Sequence, residues 1–124
     1  MSMIENIEFR YLVTAPDLNS HGTLHGGVLL RWADEAAGMH SRKITNRVCV
    51  TRFIREVEFN SKVRLGEILR ITTQIKHIGT TSITFSLDVK EDISNRQVAK
   101  IGDMVFVSID NHGNTVKHKL KKII

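Results

Sequence analysis

One long apolar helix flanked by strand patterns constrains this fold more than any other feature. Residues 26–43 contain no proline, and two basic residues, Arg42 and Lys43, close the segment. On a helical wheel, one side carries Leu29, Ala33, Ala36, Ala37 and His40, and the opposite side carries Arg31, Glu35 and Arg42. Such a helix is too apolar to lie half-exposed on a small domain. We therefore expect a curved sheet to wrap around it.

Strand-like patterns surround this helix on both sides. Apolar and polar residues alternate over 7–13, and a loop then runs from Pro16 to Leu24. After Asn46 about four more strands are expected, one of them with a buried start. They include residues 48–50 with 57–59, 69–75, 83–89 and 104–109. This order predicts an α+β fold in which one helix packs against one antiparallel sheet of about five strands.

The chain has the size and charge distribution of one globular domain, residues 1–124. Its net charge is +5, but the basic residues are spread along the chain and aromatic residues make up only 6%, which argues against nucleic-acid binding. Basic residues concentrate only in the segment 115–124, at Lys117, His118, Lys119, Lys121 and Lys122. This tail is either solvated or attracts a phosphorylated small ligand.

Other composition features point to a cytoplasmic protein without a membrane partner. No stretch reaches the roughly 18 apolar residues of a membrane span, and residues 1–9 do not resemble a signal peptide. The single cysteine, Cys49, cannot form an internal disulfide. We expect Cys49 to be a core residue. Trp32, Met39 and Phe53 either shape a ligand pocket or belong to the core, and we favour the core.

The chemistry of the chain is concentrated at the start of the helix and at one acid within it. Gly26 and Gly27 leave backbone N–H groups approachable at the end of the helix where the dipole favours negative charge. His25 either caps the helix or orients a bound carbonyl. Asp34 has no helical cation at i±4, whereas Glu35 can pair with Arg31. Asp34 either bonds a loop N–H or takes part in catalysis, and we favour catalysis. Together these groups predict a site that stabilises an oxyanion and handles a proton.

The separation of these groups predicts a shared site. Gly26 and Asp34 are eight residues apart, roughly 12 Å along a helix axis, which is too far for both to act on one carbonyl. The site would then lie at a dimer interface. His21 and His25 have a spacing that could suggest zinc, but no further ligand completes the set nearby. We expect neither a metal nor a cofactor.

The segment Asn19-x-x-Gly22-x-x-His25-Gly26-Gly27-x6-Asp34 resembles the active-site segment of hotdog-fold acyl-CoA thioesterases. The likeness extends through Gly66, Glu67 and the turn at 79–82 to the final strand, and so covers most of the chain. The resemblance implies a helix wrapped by an antiparallel sheet. It also implies a homodimer whose two sheets form one layer, often assembled further into a hexamer.

The same resemblance assigns roles to individual residues. The Gly26 amide polarises the thioester carbonyl, Asn19 orients the carbonyl or the water, and Asp34 acts across the interface as base or nucleophile. The segment Gly79, Thr80, Thr81 and Ser82, together with nearby basic residues, resembles the part that contacts coenzyme A. The implied reaction releases a free fatty acid and coenzyme A, which is part of the substrate.

We favour hydrolysis over two alternatives. A non-catalytic module that binds or senses acyl-CoA is usually fused to a DNA-binding segment, and this sequence retains its acidic residue without such a segment. A dehydratase of the same fold pairs its helix acid with a histidine in a proline-containing loop, and no such proline is present here.

Overall fold

The computed structural model describes residues 5–120 and contains one α-helix and five strands. A 3-10 turn, Ala15–Asp17, precedes the helix. The elements are β1 (Ile7–Leu12), α1 (Gly26–Thr45), β2 (Cys49–Phe59), β3 (Ile68–Ile78), β4 (Ser82–Glu91) and β5 (Gln97–Ser108). The strands form one antiparallel sheet in the order β1-β3-β4-β5-β2. The predicted α+β fold, with one helix against five strands, is confirmed.

Helix α1 begins and ends at residues that cap it. His25 precedes it in an extended conformation, and its Nδ1 accepts a hydrogen bond of 3.0 Å from the Gly27 amide. Asn46 has a φ of 54° and its amide donates to the Arg42 carbonyl, so the helix ends at Thr45, two residues beyond the prediction. Among residues 5–120, no helix combines the length and apolar character needed to cross a bilayer.

The buried side of α1 packs on the inner face of the sheet. Ala33, Ala36 and Ala37 have no exposed surface, and their short side chains let the helix approach the strands closely. Phe85 of β4 is also fully buried and meets Phe106 of β5 edge-on, with ring centroids 5.9 Å apart. The core continues through Leu29, Trp32, Leu69, Ile71, Ile83, Leu87, Val89, Ile101 and Met104.

Strand β2 is an edge of the sheet, and its apolar side chains are unusually exposed. Val48 just before it is 53% exposed and Val50 is 40% exposed, so the expectation of a buried start at 48–50 is wrong. Farther along β2, Phe53 and Phe59 are 44% and 55% exposed. An edge strand of this kind offers both apolar side chains and unpaired backbone groups to another chain.

The predicted core positions outside residues 48 and 50 are confirmed in part. Trp32 is buried, as predicted, and stacks on Tyr11 with ring centroids 5.0 Å apart. Cys49 is half-buried and packs against the core. The prediction is wrong for Met39 and Phe53, because neither is covered by residues of the same chain.

The segment after β5 lies against one end of the sheet. His118 is buried, and its Nε2 lies 3.1 Å from the Ser82 carbonyl oxygen. A fully solvated tail therefore does not describe residues 115–120. Two of the basic residues noted above, Lys121 and Lys122, lie outside the described residues.

His40 is a titratable group inside the core. Its Nδ1 lies 2.7 Å from the Thr73 hydroxyl oxygen, and its ring centroid is 5.0 Å from that of Phe85. Its Nε2 is buried, with no hydrogen-bond partner among the residues described. Burial, with a smaller contribution from the Lys43 charge, lowers the pKa of His40 from 6.5 to about 4. The folded protein therefore holds this ring in its neutral form.

We predict that His40 makes the folded state less stable in mild acid. The unfolded chain takes up the proton near pH 6.5 and the folded chain only near pH 4, so stability falls as the pH drops between these values. The expected loss is about 2–3 kcal/mol between pH 7.5 and 4.5. Urea unfolding of the wild type and of His40→Leu across this range measures it.

The pH range of this loss of stability distinguishes the effect of His40 from that of the acidic residues. The pKa of Glu91, lowered mainly by the Ser94 amide, is about 2, and carboxylates of this kind lose stability only below about pH 4.5. His40→Leu should therefore lack most of the slope between pH 4.5 and 6.5. An unchanged slope in this variant would contradict the assignment.

Candidate active site

Asn19 organises the loop that leads into α1. Its Oδ1 accepts hydrogen bonds from the amides of His21 and Thr23, at 2.9 and 3.2 Å, and its Nδ2 donates to the Thr23 hydroxyl at 3.1 Å. The Asn19 amide also donates to the Thr23 carbonyl, at 2.8 Å. The side chain therefore holds the loop in a fixed shape just before the helix begins.

His25 and the two glycines form the first turn of α1. The His25 amide donates to the Asp17 carbonyl at 2.9 Å, which ties the helix start to the 3-10 turn. Because Nδ1 of His25 accepts from Gly27, the neutral ring carries its proton on Nε2, which is then a free donor. The Gly27 amide is thus already used within the turn.

The Gly26 amide is the open donor at this end of the helix. No acceptor for it is found among residues 5–120, and it lies at the end of the helix where the dipole attracts negative charge. Gly26 lines a pocket of about 320 Å³ with apolar side chains that include Leu24, Leu29 and Phe59. The pocket can accept an apolar group that carries a negatively polarised oxygen.

Asp34 lies two turns farther along α1 and contacts strand β2. Its Oδ1 accepts a hydrogen bond from the Thr51 hydroxyl. The neighbouring Glu35 instead pairs with Arg31 at 3.2 Å on the exposed side of the helix. The two adjacent acids therefore differ, because Asp34 is half-buried and oriented by a strand while Glu35 belongs to a surface ion pair.

Sequence reasoning missed Thr51. It is the residue that orients Asp34, yet it is 17 positions away and lies on a strand that is exposed along most of its length. The sequence offered one indication of its orientation. Thr51 lies two residues after Cys49, and alternate residues of a strand face the same side of the sheet. Without knowing that β2 runs beside α1, this indication could not identify its partner.

Within one protomer these groups form two separate parts. Asn19, His25 and Gly26 gather at the start of α1, near Phe59 at the end of β2. Asp34 lies beside Thr51, near the start of β2. No hydrogen bond within residues 5–120 joins the two parts. One chain thus carries an open amide donor and an oriented carboxylate that do not face each other.

The turn at 79–82 lies beside the C-terminal segment. The Gly79 amide donates to the Ser82 carbonyl at 2.8 Å, and any side chain at Gly79 would collide with the Ser82 hydroxyl. The carbonyls of Thr80 and Thr81 accept from the amides of His118 and Ser108, at 3.3 and 2.9 Å. The predicted coenzyme A segment and the basic C-terminal segment therefore meet at one end of the sheet.

His21 and His25 do not belong to a larger set of metal ligands within the described part of the chain. No group of three or more histidine, cysteine, aspartate or glutamate side chains stands in a metal-binding arrangement there. The His25 ring instead caps the helix, as described above.

Comparisons with known proteins agree with this geometry. A family model of the thioesterase superfamily matches residues 21–96. An uncharacterized acyl-CoA thioester hydrolase of Bacillus subtilis is 27% identical over 103 residues, which cover 81% of this chain. The chain spans 60% of the length of that relative.

Two solved structures are similar over 90% of this chain. The acyl-CoA hydrolase of Staphylococcus aureus, in complex with butyryl coenzyme A, coenzyme A and coenzyme A disulfide, has a TM-score of 0.78 and 25% identity, with 68% of its chain covered. A hexameric acyl-CoA thioesterase has a TM-score of 0.80 and 27% identity, with 74% covered. These likenesses identify the helix and its five-stranded sheet as a hotdog fold.

Further structures of the Staphylococcus aureus hydrolase carry single alanine replacements. One replaces an asparagine, one an aspartate 15 positions later, and one a threonine 17 positions after the aspartate. At 22–24% identity, these and a hexameric thioesterase with an aspartate-to-alanine replacement bear on the fold of this chain alone.

Proposed function

The chain belongs to the thioesterase superfamily, and on that premise we propose that it hydrolyses acyl-CoA thioesters. Water adds to the thioester carbonyl, the carbon–sulfur bond breaks, and the products are a free carboxylic acid and the coenzyme A thiol. The observation that carries the proposal is the pairing of an open Gly26 amide with a Thr51-oriented Asp34 on a single helix. The proposed reaction uses only protein groups and water.

The Gly26 amide supplies the oxyanion donor. Negative charge develops on the carbonyl oxygen as the tetrahedral intermediate forms, and a preorganised N–H stabilises it without reorganisation. The helix dipole adds to this effect because the amide lies in the first turn. The Nε2 proton of His25 is a second donor on the same turn. Asn19 contributes by fixing the loop that leads into this turn.

Asp34 supplies the carboxylate. It acts either as a general base on the attacking water or as a nucleophile on the carbonyl carbon, and both routes need an ionised carboxylate of fixed orientation. The Thr51 hydroxyl provides that orientation.

Two protomers complete each site. Thr51, beside Asp34, and Phe59, beside Gly26, lie on the same edge strand. A two-fold axis near Arg55, midway between them, makes two β2 strands antiparallel. It then brings Thr51 opposite Phe59 of the partner subunit. Asp34 thereby faces the Gly26 amide of the partner subunit, and the symmetric dimer has two equivalent sites.

The exposed apolar residues of β2 support this assembly. Phe53 and Phe59 are large side chains that a single protomer leaves in water, and burying them favours association. The similar solved structure at 27% identity is a hexameric acyl-CoA thioesterase. We therefore infer a homo-oligomer built from this dimer, with Gly79, Thr80, Thr81 and Ser82 available to contact coenzyme A.

Replacing Asp34 by asparagine should abolish most of the activity. Asparagine keeps the shape and can still accept from Thr51, but it is neither a base nor a nucleophile, so kcat should fall by about 100-fold or more. Glu8→Gln is the control, because Glu8 lies on β1, at the sheet edge opposite β2, and forms only surface ion pairs. Its loss should change kcat by less than about twofold. Thiol release from a panel of acyl-CoA chain lengths measures both variants, and wild-type turnover by Asp34→Asn would refute its role.

Replacing Gly26 by proline should remove the oxyanion donor while keeping the helix start. Gly26 is the first helical residue, where proline is well tolerated, and His25 already has the extended backbone that proline requires before it. We expect kcat to fall by about 100- to 1,000-fold. Gly26→Ala keeps the amide, and its methyl group meets the Phe59 ring at 3.6 Å, an ordinary contact. Equal activity of the two variants would show that this amide plays no part.

Mixing the two inactive variants should restore activity. In a dimer of Asp34→Asn with Gly26→Pro, one of the two shared sites keeps both intact groups. Because half of the randomly formed dimers are mixed, about a quarter of the wild-type activity should return after joint refolding. If both groups of a site came from one protomer, the mixture would stay inactive.

A further inference from the structure

A groove begins one helical turn beyond Asp34 and follows α1 toward its C-terminus. Asp34, Gly38 and Arg42 are four residues apart and stack along one side of the helix. That side faces β2, where Thr51 contacts Asp34 and Cys49 contacts Thr45. The groove has a volume of about 550 Å³ and is lined by Glu35, Gly38, Met39, Arg42, Lys43 and Cys49.

A second pocket lies at the end of the helix, beyond this groove. Arg42 lines both, and the second pocket, of about 350 Å³, is also lined by Asn46, Arg47 and Asp110. Because Asp34 and Arg42 are eight residues apart, the second pocket begins about 12 Å from the carboxylate. An elongated molecule whose reacting group lies at Asp34 therefore reaches this pocket.

The cations at this end of α1 lack partners, unlike most of the arginines elsewhere. Arg31, Arg70 and Arg96 each form an ion pair with a nearby carboxylate. Within residues 5–120, the side chains of Arg42, Lys43 and Arg47 form no ion pair and no hydrogen bond. Their charges are therefore available to a ligand.

One acid lies in the same pocket, and its charge is largely balanced. Asp110 Oδ1 accepts hydrogen bonds from the amides of His112 and Asn114, at 2.8 and 3.0 Å. The unpaired Arg42 and Arg47 therefore share this pocket with the Asp110 carboxylate, which backbone N–H groups already stabilise. The net local charge remains positive, which suits a polyanion.

We infer that Arg42 and Arg47 bind the phosphate groups of coenzyme A, and that the pantetheine arm lies in the groove over Gly38 and Met39. The inference rests on the proposed function, because it requires the thioester at Asp34. The narrow arm suits a groove that glycine leaves open, and guanidinium groups bind phosphate oxygens through paired, charge-assisted hydrogen bonds. Arg42 and Arg47 are then specificity-determining residues for thioesters that carry a nucleotide.

The experiment compares two substrates that differ only in the nucleotide. The probes are the acyl-CoA that the wild type hydrolyses best and the matching S-acyl pantetheine, which has no phosphate. In the variant Arg42→Ala/Arg47→Ala, KM for acyl-CoA should rise about tenfold or more, with kcat nearly unchanged. KM for S-acyl pantetheine should change by less than about twofold, and added salt should raise the wild-type KM for acyl-CoA only.

The control variant Arg64→Ala/Lys100→Ala removes the same charge from cations that line neither pocket. It should leave KM for acyl-CoA within about twofold of wild type, which excludes general attraction by net charge. If both double variants raise this KM equally, or if the arginine variant alters neither substrate or both equally, the inference fails while the proposed function stands. If the wild type releases thiol from neither substrate, the proposed function itself fails.

A third substrate tests whether the thioester is delivered by a carrier protein instead of coenzyme A. An acyl group on an acidic carrier protein also arrives on a phosphopantetheine arm, but its charges lie on a broad protein surface. A concave pocket between two arginines favours the nucleotide. A rise in KM for the acyl-carrier protein, with none for acyl-CoA, would overturn the inference in favour of the protein partner.

Discussion

The close packing of α1 on the sheet is the interaction on which the rest of the structure depends. Ala33, Ala36 and Ala37 are fully buried, and their short side chains let the helix approach the strands closely. This proximity lets Asp34 reach the Thr51 hydroxyl and lets Gly26 lie against the Phe59 ring. A longer side chain at any of these three positions would displace the helix relative to β2. The polar groups of the site thus owe their positions to an apolar interface.

The edge position of β2 links stability to the proposed chemistry. A strand with exposed Phe53 and Phe59 is a liability for an isolated protomer, since its free edge invites pairing with other chains. The same strand carries Thr51, which orients the carboxylate. In the proposed dimer, covering the apolar edge and completing the site are therefore one event. An enzyme built this way has no reason to be active as a monomer.

The features that could be predicted from sequence are those that local rules determine. The helix, the order of elements along the chain and the different surroundings of Asp34 and Glu35 all follow from residues within a few positions of each other, as does the cap, one of the two roles considered for His25. Contacts between distant segments could not be predicted, such as Thr51 with Asp34 and His118 with Ser82. The exposure of Val48 and Val50 was missed for a related reason: alternation indicates a strand, but not whether that strand is an edge.

The two ends of α1 suit opposite tasks in the proposed reaction. The N-terminal end is electropositive through its backbone, which favours a charge that appears only in the transition state, and Gly26 exposes the amide there. At the C-terminal end the dipole is reversed and repels anions, so a phosphate site requires side-chain cations. Arg42, Lys43 and Arg47 provide them without committing their charges to carboxylates. A backbone donor thus acts on the transient oxyanion, while side-chain cations act on the permanent phosphates. Affinity for the nucleotide can then change by substitution without disturbing the catalytic groups.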